Sequence, residues 1–238
     1  MSRRGKLKKF ADVSQDRLVI ELGTQNWEKR KGNWSQFFEN DNPIILELGC
    51  GYGEYTIGLA EKFPNQNFIG IDIKGARIWQ GCKQAYEKKL TNVGFVRINI
   101  LEIDHFFDEN EVDEIWITFP DPRSRDSDEK RRLTNARYLK LYSRILKKNG
   151  MVHLKTDSTF LYEYSIDLFK NLGFDILYDV SDLYASDNLM KEHYGLKTRF
   201  EKMFTDKGED IKYIRFKMDG EKLEHLDFKK HDNPALKK

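Results

Sequence analysis

One carboxylate, Glu47, stands just before a turn in which Gly49, Gly51 and Gly53 alternate with Cys50 and Tyr52, and a second, Asp72, follows in Gly70-Ile71-Asp72. The run Ile44-Ile45-Leu46-Glu47-Leu48 that leads into the turn fits a parallel strand buried on both faces. Glycines after it let the backbone turn sharply at the strand's carboxyl end, where open α/β sheets bind ligands. Asp72 closes the next short apolar stretch, 68–71, and a carboxylate there can accept from both hydroxyls of a ribose. These residue types in this order describe a pocket for a nucleoside cofactor.

Two cofactor classes use such a turn. The dinucleotide fingerprint spaces its glycines G-x-G-x-x-G, the third packing helix on strand. Here Glu54 falls where that third glycine belongs. A carboxylate such as Glu47 beside the loop would also repel a pyrophosphate, whereas it suits a ligand carrying a sulfonium and an ammonium group. S-adenosyl-L-methionine is such a ligand, and the methyl-donor reading stands ahead of the dinucleotide one. Three further polar residues end successive strands: Asn99, Asp121 in Phe119-Pro120-Asp121-Pro122, and Asp157 in Lys155-Thr156-Asp157. Singly each reads as a turn or helix-cap residue. Together beside a cofactor turn they read as a rim, with Asn99 near an adenine and Asp121 near a methyl acceptor.

The elements that must position these groups alternate from residue 43 onward, the pattern of a doubly wound α/β sheet. Strands are expected over 44–48, 68–72, 94–99, 114–119, 151–155, 174–180 and 212–218, and helices over 54–63, 75–90, 134–148 and 160–172, with a short helix near 102–107. Pro120 stops the fourth strand because proline cannot continue a central ladder. Tyr138, Leu141, Tyr142 and Ile145 fall at helical spacing and read as core, not as a binding stripe. Residues 120–133 form a long polar loop, and 181–203 a polar excursion. A basic lead-in over 1–42 and one domain over 43–238 are the expected divisions.

Charged residues make up 34% of the 238-residue chain and hydrophobic ones 39%, enough for a core. No apolar run approaches the roughly 18 residues that cross a bilayer. Cys50 and Cys82 have no metal-ligand neighbours, and the five histidines show no His-x-x-x-His spacing, so free thiols in a reducing cytoplasm and no metal are expected. The net charge of +2 is unevenly spread: Arg3, Arg4, Lys6, Lys8 and Lys9 crowd the first ten residues, Lys229, Lys230, Lys237 and Lys238 stand in the last ten against Asp232 alone, and Lys130-Arg131-Arg132 lies in the loop beside the expected site. Basic tails are usually solvated. Beside a third basic stretch they read as a grip on a polyanion.

The residues also match a family. The chain resembles the bacterial tRNA (guanine-46-N7)-methyltransferases, class I, Rossmann-like S-adenosylmethionine-dependent enzymes. The resemblance is carried by Gly5-Lys6-Leu7-Lys8-Lys9-Phe10, Leu46-Glu47-Leu48-Gly49-Cys50-Gly51, Gly70-Ile71-Asp72, Phe119-Pro120-Asp121-Pro122, Lys130-Arg131-Arg132-Leu133, Thr156-Asp157 and Thr198-Arg199-Phe200-Glu201. Of these, Phe-Pro-Asp-Pro with the later Thr-x-Phe-Glu is far more specific than the glycine turn. It implies a mostly parallel, seven-stranded sheet with an antiparallel last strand. It also implies cofactor contacts from Glu47, Gly49, Gly51, Asp72, Asn99 and Asp121, substrate contacts from Arg125, Asp157, Thr198, Arg199, Phe200 and Glu201, and Asp121 as the catalytic residue. Many relatives follow Phe-Pro-Asp-Pro with tryptophan, then a lysine two further on, then an Arg-His pair. Here those places hold Arg123, Arg125 and Ser127-Asp128, so Arg125 keeps the positive charge without lysine's point-charge geometry.

The implied chemistry needs few groups. Guanine N7 already carries an in-plane lone pair, so the site must align it with the sulfonium methyl rather than deprotonate it. A carboxylate at Asp121 can orient the base through its N–H edge and stabilise the positive charge that moves onto the purine. Arg3, Arg4, Lys6, Lys130, Arg131 and Arg132 are the candidates for holding the tRNA backbone. Two other readings stay open from the residues: a methyltransferase with a different acceptor, and a non-catalytic tRNA-binding module on the same scaffold.

Overall fold

The computed structural model describes residues 12–24, 27–185 and 189–226. Eight strands, β1 (Val19–Glu21), β2 (Ile44–Leu48), β3 (Asn67–Asp72), β4 (Val93–Arg97), β5 (Val112–Thr118), β6 (Leu146–Thr156), β7 (Asp175–Val180) and β8 (Lys212–Lys217), make one sheet in the order β1-β4-β3-β2-β5-β6-β8-β7. β2 and β3 are buried at every position, which is why their sequences are apolar runs and not alternations. Pairings from β1 through β6 are parallel, and β8 runs antiparallel between β6 and β7, as the resemblance implied. Among the described residues the count is eight and not seven: β1, from the lead-in before residue 43, pairs with β4. Three residues are too few to show either strand period.

Helices α1 (Trp34–Phe38), α2 (Glu54–Lys62), α3 (Gly75–Glu87), α4 (Ala136–Ile145), α5 (Thr159–Asn171), α6 (Met190–His193) and α7 (Arg199–Thr205) cover both faces. On one, Tyr55, Ile57 and Leu59 of α2 and Ile78 of α3 pack against Ile45, Phe68, Phe95 and Trp116. On the other, Tyr142 and Ile145 of α4 and Leu161 and Phe169 of α5 meet Leu46, Ile69, Ile115 and Leu154. The lead-in adds to this second core through Trp34, whose Nε1–H donates to the Phe106 carbonyl at 2.9 Å and whose ring stacks on Phe107. α4 stops at Ile145, three residues before the expected end. Leu146 is drawn into the ladder opposite Val112 and buried, and the chain then turns through Asn149 at φ 62°. The expected polar excursion over 181–203 contains α6 and the start of α7, anchored by buried Leu183, Glu192 and Glu201.

Candidate active site

Strand order reverses at β2, whose neighbours β3 and β5 are reached by crossovers on opposite sides, and a ligand crevice is expected above that point. A cleft of about 810 Å³, counting its open mouth, lies there. Its floor is the turn after β2. The Gly49 and Cys50 amides donate to the Ile71 carbonyl at 2.8 and 3.0 Å, and Gly51 N–H donates to Asp72 Oδ2 at 2.9 Å. Lys74 N–H takes the other Asp72 oxygen at 2.8 Å. The second carboxylate of the sequence pattern therefore fixes the first turn. Gly51 sits at φ +56°, and the nearest atom to a side-chain carbon added there would be the Gly49 carbonyl at 4.0 Å, so the space above it belongs to the cleft. Gly53, at φ +72°, is required for packing instead: a side-chain carbon would lie 2.9 Å from the Phe95 ring.

Glu47 lies beneath the cleft, 3% exposed. Its Oε2 accepts from the amide (2.8 Å) and the hydroxyl of Thr56, and its Oε1 from the Thr118 hydroxyl at 2.6 Å. Burial pushes its carboxyl up to about 7, against the pull of those three hydrogen bonds and with a further push from the Asp72 charge. A buried acid near neutrality next to an open cleft is poised to release its proton to solvent when a cationic ligand binds beside it. Thr56 and Thr118 carry no sequence signal. Thr56 lies on α2 and Thr118 ends β5, and only the fold brings both hydroxyls to Glu47.

The acceptor loop leaves β5 through Phe119, at φ 49°, and Phe119 and Pro122 line the cleft. Asp121 stands at the rim with a side chain 63% exposed, accepts from Arg123 N–H at 3.2 Å and pairs with Arg123 Nε at 3.2 Å. Arg125 is exposed. The basic run divides. Arg131 pairs with Asp128 at 3.0 Å and Lys130 is exposed. Arg132, expected as a backbone contact for a polyanion, is instead 3% exposed. Its guanidinium donates to the carbonyls of Arg123 (3.1 Å) and Arg125 (3.4 Å) and lies over the rings of Phe160 and Tyr164. It holds the loop and has no face for a partner. Arg3, Arg4 and Lys6 lie outside the described residues.

The remaining rim residues separate. Asp157 lines the cleft, and burial raises its carboxyl above the usual range. Asn99 is outside the lining and accepts from Leu101 N–H at 3.1 Å, capping the 3-10 turn Ile100–His105. Thr198 and Phe200 form the far wall, and Arg199 is exposed beside them. Glu201 is fully buried. It pairs with Lys155, also fully buried, at 2.8 Å, accepts from the Tyr184 hydroxyl, and completes a capping box with Thr198. Lys155 also donates to the Leu196 carbonyl at 3.3 Å. This ion pair ties α7 to β6 and so sets the far wall. Lys155 escaped the sequence reading, although a lysine ending the run Val152-His153-Leu154 was its signal. Among the described residues no group of three metal-ligating side chains occurs.

A mostly parallel sheet with this strand order, an acid-flanked glycine turn at its reversal and a carboxylate-bearing loop across the cleft define a methyltransferase of the class I type. Solved structures share the fold: an antibiotic-related methyltransferase superposes with TM-score 0.55 at 20% identity, covering 78% of this chain and 92% of that one. The 16S rRNA methyltransferase KamB gives 0.56 at 12% identity, over 79% and 93%. Residues 41–214 match a family described as "Putative methyltransferase". A tRNA (guanine-N(7)-)-methyltransferase of Christiangramia forsetii is 47% identical over 92% of this chain and the whole of that protein. One from Bacteroides fragilis is 44% identical over 90% and 85%. The chain belongs to the tRNA (guanine-N(7)-)-methyltransferase family.

Proposed function

We propose that this protein transfers the methyl group of S-adenosyl-L-methionine to N7 of a guanine in tRNA, at position 46 of the variable loop. The observation that carries the reading is the cleft itself. Two carboxylates frame a glycine turn whose upper side is open, Asp72 bonded to the Gly51 amide and Glu47 buried below. Such a floor suits a ribose and a cationic amino-acid tail better than it suits a phosphate. The methyl donor, when bound, supplies an electrophilic carbon on sulfur. Glu47, Gly49, Gly51, Asp72 and Asn99 are its proposed contacts, and Asp121 borders both donor and acceptor.

The acceptor enters over the loop 119–125 and the wall formed by Asp157, Thr198 and Phe200. A guanine stacked in tRNA must be exposed first, at a cost of a few kcal/mol that backbone contacts offset. Asp121 then orients the purine through its N–H edge and stabilises the charge that develops as N7 displaces the sulfonium. No general base is needed. Arg125 and Arg199 flank the entrance as proposed substrate contacts, while Glu201 acts from beneath, through Thr198. The tRNA substrate fits a cytoplasmic location, and the chain's described helices include none long and apolar enough to cross a membrane.

The test is to incubate the protein with labelled S-adenosylmethionine and unmodified tRNA transcript, then map N7-methylguanine by borohydride and aniline cleavage. A single cut in the variable loop is expected. Transfer to another guanine discards the position and keeps the chemistry; tight tRNA binding without transfer discards the enzyme.

A further inference from the structure

The pocket mouth has two flanks, and their charges differ in kind. On the acceptor-loop side three of the five cations are engaged within the protein, Arg123 by Asp121, Arg131 by Asp128 and Arg132 by backbone carbonyls, while Arg125 and Lys130 are exposed. On the other side, between residues 197 and 207, Lys197, Arg199, Lys202 and Lys207 are all exposed. Among the described residues none of these four side chains forms an ion pair. Lys197 and Lys207 touch only ring faces, those of Tyr184 at 3.9 Å and Phe204 at 5.6 Å. The stretch holds two carboxylates. Glu201 is neutralised by Lys155 inside the core, and Asp206 is exposed at the helix end, with Glu209 and Asp210 beyond it.

Apolar surface is interleaved with these cations. Phe200 and Met203 are 40% and 41% exposed, among the few large hydrophobic side chains left open to solvent, and Phe200 and Phe204 line the cleft. The buried Lys155–Glu201 pair fixes the helix beneath them, so the face is held rigidly toward the mouth. Unpaired cations alternating with exposed apolar side chains on a rigid element are the chemistry of a nucleic-acid platform: ammonium groups for phosphates, rings and thioether for an unstacked base.

We propose that α7 and its flanks form a phosphate-binding ridge, in which Lys197, Lys202 and Lys207 seat the tRNA backbone beside the target guanine while Phe200 and Met203 face the neighbouring nucleotide. This rests on the tRNA reading above and adds the α7 side of the mouth to the docking face, across the cleft from the acceptor loop. The ridge lies at the carboxyl edge of the sheet, over the cleft. By contrast Lys88 and Lys222 pair with Glu61 and Asp219 at the opposite edge, where α3 ends and the chain leaves β8, and Lys170, in the last turn of α5, pairs with Asp179 on the outermost strand β7.

Those two sets of lysines supply the experiment. The triple variant Lys197→Gln/Lys202→Gln/Lys207→Gln and the matched triple Lys88→Gln/Lys170→Gln/Lys222→Gln remove the same charge. Binding of unmodified tRNA transcript is measured across salt concentrations, with S-adenosylhomocysteine affinity as the check on folding. For the ridge triple, tRNA affinity at moderate salt falls at least about tenfold and the log–log salt slope drops by about 2, since each lost phosphate contact removes roughly 0.7–0.9. S-adenosylhomocysteine binding stays unchanged, and the matched triple loses little. Equal losses in both triples would reduce the ridge to net charge, and an unchanged slope in the ridge triple would overturn it. If the unaltered protein binds S-adenosylhomocysteine but no tRNA, the functional reading falls and takes the ridge with it.

Discussion

At the scale of single residues the informative group is Glu47. Because burial holds its carboxyl at about 7, above the ordinary 4.5, the folded protein binds that proton more tightly than the unfolded chain does. The resulting stabilisation, about 3 kcal/mol at most, is present below about pH 4.5 and is lost as pH rises through about 7. Glu47→Gln removes this dependence, so the difference in thermal midpoint between the two proteins changes across pH 5–8; a constant difference would show that Glu47 does not titrate there. Ligand binding runs the other way. The ammonium of S-adenosylhomocysteine favours the carboxylate, so affinity rises by up to about tenfold per pH unit below 7 and levels off above it. Calorimetry on Glu47→Gln is expected to give a flat profile. Asp121 makes a different prediction, because it is exposed and outside the floor. Asp121→Ala should lower kcat by about 100-fold or more, the usual consequence of removing one group aimed at developing charge. S-adenosylhomocysteine binding should stay within a few fold, and joint loss of both would reassign Asp121 to the cofactor.

At the scale of elements, the polar groups that matter are those clamping a loop or helix to the sheet. Lys155 and Glu201 are each 0% exposed in their side chains, so Lys155→Met leaves a buried carboxylate unpaired. Breaking one partner of such a pair costs about 3–5 kcal/mol, whereas replacing both by apolar groups costs far less. Urea denaturation of Lys155→Met and of Lys155→Met/Glu201→Leu should therefore show the double variant as the more stable; the reverse order would mean that the pair does not anchor α7. What the sequence disclosed at this scale follows the same physics. The run 44–48 is legible because burial on both faces makes it continuously apolar, and the helical spacing of Tyr138, Tyr142 and Ile145 because burial on one face imposes a period. Leu141 of that stripe is only half-buried, and Leu139 takes its place in the core. Strand β1 and helix α7 are too short to show a period, and what fixes them is a partner distant in sequence. Arg132 was misread for the same reason: its neighbours in sequence are basic, and its neighbours in space are carbonyls and rings.

At the scale of the whole molecule, a net charge of +2 hides an arrangement suited to a polyanion. The turn chemistry, the alternation of strands and helices and the family were open to reading because each is carried by short contiguous stretches of sequence. The division of cations into paired and unpaired was closed to it, since Arg131 and Lys202 look alike until their surroundings are known. Arg3, Arg4, Lys6, Lys8 and Lys9 carry no acid among them, and they precede Val13, the first buried residue described. Removing residues 1–10 takes away these five positive charges and leaves every buried residue described in place. The truncated protein should keep its thermal midpoint and its affinity for S-adenosylhomocysteine while its KM for tRNA rises. If all five cations meet phosphates, the salt slope falls by about 4, more than the change expected from the three lysines of the ridge; a smaller fall counts how many do. Combining the truncation with the ridge triple then tests whether the two grip one RNA together. Independent contacts give additive losses in free energy. A combined loss well short of the sum would mean that the arm and the ridge compete for the same phosphates.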